Sequence, residues 1–99
     1  MAYSEGIIQR VWEKGVFVHY YSPRDWRKDD CGAWIGGRYY EDRKSPYGWE
    51  IDHIKPESQG GTDELLNMRP LQWENYASKK AGHPVCLVTA SGNKNIRNE

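Results

Sequence analysis

The sequence predicts a small single α+β domain, and three observations predict it. Its 99 residues suffice for one hydrophobic core and are too few for two separate ones. Apolar residues recur at helical spacing near the start and in extended, β-rich runs further on. Between residues 49 and 81 the local signals then run strand, loop, strand, helix.

From Ser4 to Lys14, the apolar residues Ile7, Ile8, Val11 and Trp12 share one face of a short amphipathic helix, which Gly15 ends. The run Val16-Phe17-Val18-His19-Tyr20-Tyr21 is rich in β-formers and reads as a strand closed by Ser22-Pro23. Between Cys31 and Tyr40, glycines interrupt an apolar segment, which predicts a strand or turn packed through Ala33, Trp34 and Ile35. The turn Ser45-Pro46-Tyr47-Gly48 feeds a strand over 49–54, and Lys55 to Thr62, with Pro56, Gly60 and Gly61, reads as a loop.

Asp63 to Asn67 predicts one helical turn with Thr62 or Asp63 as its N-cap. Arg69-Pro70-Leu71 is extended, because the residue before proline is pushed out of the α region. Gln72 to Lys80 is predicted helical, with Gly82 as its stop and Pro84 beyond. Val85 to Thr89 adds a further strand. These elements make one domain over 1–90, and the polar stretch 91–99 is expected to be a disordered tail.

Fourteen Lys and Arg balance fourteen Asp and Glu, eight against eight in residues 1–50 and six against six in residues 51–99. A protein that grips nucleic acid over a long tract carries a basic excess, so tight unassisted binding is not expected. After Asn75, however, Lys79, Lys80, Lys94 and Arg97 face only Glu99. Cys31 and Cys86 lack the paired spacing of a structural zinc site. A lone disulfide is open to them, but two unpaired thiols in a cytoplasmic protein are the favoured reading. No apolar run approaches the roughly 20 residues that span a bilayer, so no membrane association is expected.

One stretch concentrates chemistry-bearing residues. Asp52 and His53 are adjacent; Asn67 follows His53 by fourteen residues and Asn75 follows Asn67 by eight. Singly, each has a bland explanation: Asp-His pairs are common in strands, and Asn beside a turn is usually a turn or capping residue. His19, in an aromatic run, and His83, in a helix-exit loop, have no such company. Together, the order, the spacing and the frames Ile51-Asp52-His53-Ile54 and Asn67-Met68-Arg69-Pro70-Leu71 resemble the HNH endonuclease motif, in which an Asp-His pair, a central Asn and a third polar ligand on a helix build a ββα-metal site. The lead-in over 26–35 and 45–50 is similar to that of small stand-alone HNH proteins of bacteria and their phages, so the resemblance covers about two thirds of the chain.

The resemblance implies a ββα-metal core at about 49–81. His53 would be the general base, suited by an imidazole pKa of about 6.5, and Asn67 would position it. Asp52 would hold a divalent ion, Mg²⁺ or Mn²⁺, since oxygen donors suit a hard cation. Neighbouring strand residues point to opposite faces, so a bulge or strand end is expected at His53. The third family residue falls nine positions after the central Asn, which here is Tyr76, whereas Asn75 stands at eight. Adjacent helical residues differ by about 100°, so only one can face the site. Asn75 is favoured as the metal ligand because an amide oxygen is a good hard-metal donor and a neutral phenol a poor one; Tyr76 is the alternative.

The implied activity is a metal-dependent DNA endonuclease that nicks one strand of a duplex per site and leaves 5′-phosphate and 3′-hydroxyl ends. Lys55, Arg69, Lys79 and Lys80 would contact nucleic acid, and the chain would act as a monomer or weak homodimer. The competing expectations are a catalytically weak nucleic-acid-binding module and an assembly partner within phage or restriction machinery.

Overall fold

Trp49 stands at the centre of the core in a computed structural model that describes residues 3–98. Its ring lies 5.3 Å from that of Trp12 and 4.9 Å from that of Tyr40, and Val11, Ile35, Ile51 and Met68 complete the buried cluster. Large aromatic rings thus fill much of this small interior. Trp12 belongs to helix α1 (Glu5–Trp12), whose N-cap Ser4 accepts a hydrogen bond from the Ile7 amide.

Among the described residues, three two-stranded antiparallel sheets surround this core. Strands β1 (Trp26–Lys28) and β2 (Trp34–Gly36) form the first. The second joins β3 (Trp49–His53) to β4 (Met68–Gln72), with Asp52 opposite Arg69 and His53 opposite Met68. Helix α2 (Trp73–Ala77) follows β4 directly, and the Gln72 side chain caps it by accepting from the amides of Glu74 and Asn75. Strands β5 (Val88–Ser91) and β6 (Lys94–Arg97) form the third sheet. No helix among the described residues is long and apolar enough to cross a membrane.

The order strand, loop, strand, helix thus appears where local signals put it, and β3 ends at His53 without a bulge. Other expectations fail. The run 16–21 is not a strand: only Val16 makes a bridge, to Lys28, while Phe17 and Tyr20 are 57% and 94% exposed. β2 pairs with the opposite edge of β1, so beyond the Val16 bridge this edge carries no strand among the described residues. Helix α2 stops at Ala77 rather than reaching Lys80, because Lys80 turns back to bridge His83 through left-handed Ala81 and Gly82. The stretch 91–99, expected to be disordered, supplies β6 over its described part. Asn95 explains this: its side chain accepts from the Trp34 amide and donates to the Trp34 and Pro46 carbonyls, so a polar residue pins a polar strand. Residue 99 lies outside the described residues.

The cysteines also correct the favoured reading. Cys31 and Cys86 form a disulfide with Cα atoms 5.3 Å apart, bringing the segment after α2 against the approach to β2. Beside it, Asp29 is a buried knot. One carboxylate oxygen accepts from the amides of Cys31 and Ala33, and the other from the Gln72 amide and the Asn75 side chain. It joins the β1–β2 turn to the start of α2.

Candidate active site

The residues singled out by the motif cluster around the end of β3, but on two sides of it. Asp52 is fully buried. His53, next along the strand, opens onto a surface cavity of about 230 Å³ that Tyr3, Tyr40, Glu41, Glu50 and Tyr76 also line. Strand alternation accounts for the split.

His53 is held by a residue that carried no catalytic signal in the sequence. Its Nε2 lies 2.7 Å from Asp63 Oδ1. The sequence offers Thr62 or Asp63 as the cap of a helical turn; the turn is instead a 3-10 segment over Leu65–Asn67 without a side-chain cap, and the Asp63 carboxylate is free for the imidazole. A carboxylate only accepts, so Nε2 is the donor, and in the neutral imidazole Nδ1 then carries the lone pair.

Asn67 does not bond to His53. Its Oδ1 accepts from the Lys55 amide at 2.8 Å, and its Nδ2 donates to the carbonyls of Lys55 and Thr62 at 3.0 and 2.8 Å. One side chain therefore staples both ends of the loop that begins just after His53 and leads to Asp63. The loop is tight: a Cβ on Gly61 would lie 1.7 Å from the Lys55 carbonyl oxygen, and Gly60 has φ of 88°. Asn67 is itself fixed from below, because Lys14 Nζ donates to the carbonyls of Leu65 and Met68. Any positioning of His53 by Asn67 therefore passes through the loop.

Asp52 is committed to cations. Its Oδ2 accepts from Arg69 Nε at 2.7 Å, and its Oδ1 is paired with Lys79 Nζ. Arg69 also reaches Asp30 at 3.2 Å. Lys79 Nζ lies 3.3 Å from the His53 carbonyl oxygen and 5.8 Å from the centre of the Tyr76 ring. Two of the four cations expected to contact nucleic acid, Arg69 and Lys79, are thus spent on Asp52, while Lys55 and Lys80 are exposed.

The expectation that Asn75 turns toward the metal is overturned. Asn75 is fully buried; its Oδ1 accepts from the Val88 amide, and its Nδ2 donates to the Val88 carbonyl and to Asp29. Its amide is consumed in fixing β5 and Asp29. The helical offset then turns Tyr76 to the His53 cavity. Nearby, the Tyr40 hydroxyl is pushed up to about 12, by burial first and then by Glu41, Tyr3 and Glu50, so it stays a neutral phenol.

The donors do not fit a hard divalent ion. Both Asp52 oxygens hold cations, Asn75 is turned away, and a phenol stands at the third position. Among the described residues no three His, Cys, Asp or Glu are grouped to hold a metal.

Residues 31–74 match the family model described as HNH endonuclease. The matched segment includes Asp52, His53, Asp63 and Asn67 and stops short of Asn75, Tyr76 and Lys79. No curated protein and no solved structure matches the chain.

Proposed function

We propose that this chain, which over residues 31–74 belongs to the HNH endonuclease family, hydrolyses phosphodiester bonds of duplex DNA with His53 as the general base. The observation that carries the reading is the 2.7 Å contact between His53 Nε2 and Asp63 Oδ1 at an open cavity. It fixes the tautomer, so Nδ1 is free to take a proton from an attacking water, and Asp63 stabilises the imidazolium that results. The water oxygen bonds to phosphorus and the bond to the 3′ oxygen breaks. One proton goes to His53, and the departing 3′ oxygen collects another from solvent. The products are 5′-phosphate and 3′-hydroxyl ends, and one site cuts one strand.

Lys55 and Lys80, both exposed, are the residues offered for backbone contacts. The family's divalent ion, Mg²⁺ or Mn²⁺ in the sequence-based expectation, has no step here because the donor set does not suit it.

The test is relaxation of supercoiled plasmid by the wild-type chain and by His53→Ala. Relaxation lost in the variant, with folding intact, supports the reading; a variant that keeps most of the wild-type rate removes His53 from the mechanism. A second reading, a DNA-binding module that does not cleave, is favoured by the two cations on Asp52. Duplex binding without relaxation would select it.

A further inference from the structure

Lys79 stands in an unusual place for a lysine. Its side chain is only 18% exposed. Its ammonium is enclosed by the Asp52 carboxylate, the His53 carbonyl oxygen and the Tyr76 ring. Asp52 and residue 76 are the two positions where the family motif expects metal ligands, and the ammonium lies between them. Arg69 supplies a second positive charge to the same carboxylate at 2.7 Å.

We propose that the Lys79 ammonium fills the cation position of this site, so that the chain carries its own resident cation and takes a divalent ion only by expelling Lys79. The proposal rests on the HNH reading of the site and deepens it. Three physical facts support it. A hard ion such as Mg²⁺ needs oxygen lone pairs at about 2.0–2.1 Å, and Lys79 already holds Oδ1. A further cation placed beside the Arg69 and Lys79 charges is repelled at short range in a buried setting. Tyr76 places a neutral phenol where the family motif expects a metal ligand, which leaves the incoming ion one good donor fewer. Tyr76 and Lys79 thus act in the same direction: one withdraws a metal ligand and the other supplies positive charge where the metal would sit.

The experiment is a Mn²⁺ titration of the folded chain, followed by calorimetry and by the electron paramagnetic resonance signal of free Mn²⁺. Wild type and Lys79→Arg are expected to bind no Mn²⁺ below millimolar concentration. Lys79→Met, which keeps the stem and removes the charge, is expected to bind at least about tenfold more tightly, and Tyr76→Asn added to Lys79→Met more tightly still. Micromolar binding by the wild type, or a Lys79→Met variant that binds no better than wild type, overturns the proposal. If Lys79→Met fails to fold, the wild-type titration decides alone by the same criterion.

Plasmid relaxation with and without chelator separates this proposal from the nuclease reading. Chelator-resistant relaxation that His53→Ala abolishes supports both. Relaxation that micromolar Mn²⁺ supports, that chelator stops and that His53→Ala abolishes keeps the nuclease and overturns the Lys79 proposal. No relaxation under any condition, with Mn²⁺ excluded until Lys79 is removed, rejects cleavage and supports the Lys79 proposal.

Discussion

His53 and Asp63 meet across the loop between β3 and β4, Nε2 to Oδ1 at 2.7 Å. The contact gives a solvent-facing imidazole one defined tautomer, and it exists because Asn67 closes that loop at both ends. Asp63→Asn keeps the size of the side chain but offers an amide N–H donor as well as an accepting oxygen, so it no longer selects the tautomer. Asp63 is 73% exposed, and water therefore competes for the imidazole in the wild type. The loss in kcat is accordingly expected to be on the order of ten- to a hundredfold, below the ~10⁴-fold of a buried triad aspartate. KM is expected to stay unchanged. Steady-state nicking kinetics check this, and a kcat equal to wild type removes Asp63 from the mechanism.

Asn75 and Tyr76 are neighbours with opposite expected effects. Asn75→Ala leaves the Val88 amide and carbonyl, both buried, without their partner and takes a donor from Asp29. Stability is expected to fall by about 2–4 kcal/mol. Tyr76→Phe removes a hydroxyl that faces the cavity and should shift stability by less than about 0.5 kcal/mol. Urea denaturation of both variants reads this directly; an Asn75→Ala protein as stable as wild type would return Asn75 to the list of free ligands.

What could be read from the chain is what neighbours in sequence decide. The strand ending at His53, the glycine loop and the extended Arg69-Pro70-Leu71 segment depend on local backbone chemistry, and they appear as expected. Asp29 gave no signal, because its two partners on and before α2 lie 43 and 46 residues away. The role of Asn75 is hidden for the same reason: an Asn at a ligand-like spacing looks identical whether it faces a metal or the Val88 backbone. The polar β6 strand is pinned by Asn95, whose partner Trp34 is 61 residues distant. Asp63 was assigned to a cap that the 3-10 turn does not use.

Asp29 sets a pH dependence. Burial pushes its carboxyl up from the ordinary 3.8, outweighing the hydrogen bonds from Gln72, Asn75, Ala33 and Cys31, which pull it down. The folded chain thus holds this proton to higher pH than the unfolded chain does. Its contribution to stability is complete below 3.8 and is lost as pH rises through the raised value. Asp29→Asn cannot titrate, so the stability advantage of wild type over this variant should shrink as pH rises through that window. Denaturation midpoints for both proteins across the acid range test the sign; an advantage that grows with pH contradicts it.

The disulfide joins Cys31 to Cys86 across a sequence separation of 55. In the chain-entropy account a loop of that length is worth roughly 4 kcal/mol, reduced by any structure the open chain retains. The bridge sits next to the Asp29 knot and fixes the segment that presents Val88 to Asn75. Reduction should therefore loosen β5 and β6 first, while β3, β4 and the His53–Asp63 contact, which the bridge does not touch, persist longer. Hydrogen exchange of the reduced and oxidised chain measures both parts of this. Protection lost uniformly across the chain on reduction would show that the bridge holds the whole fold; protection lost in 86–98 and kept in 49–72 is the expected result.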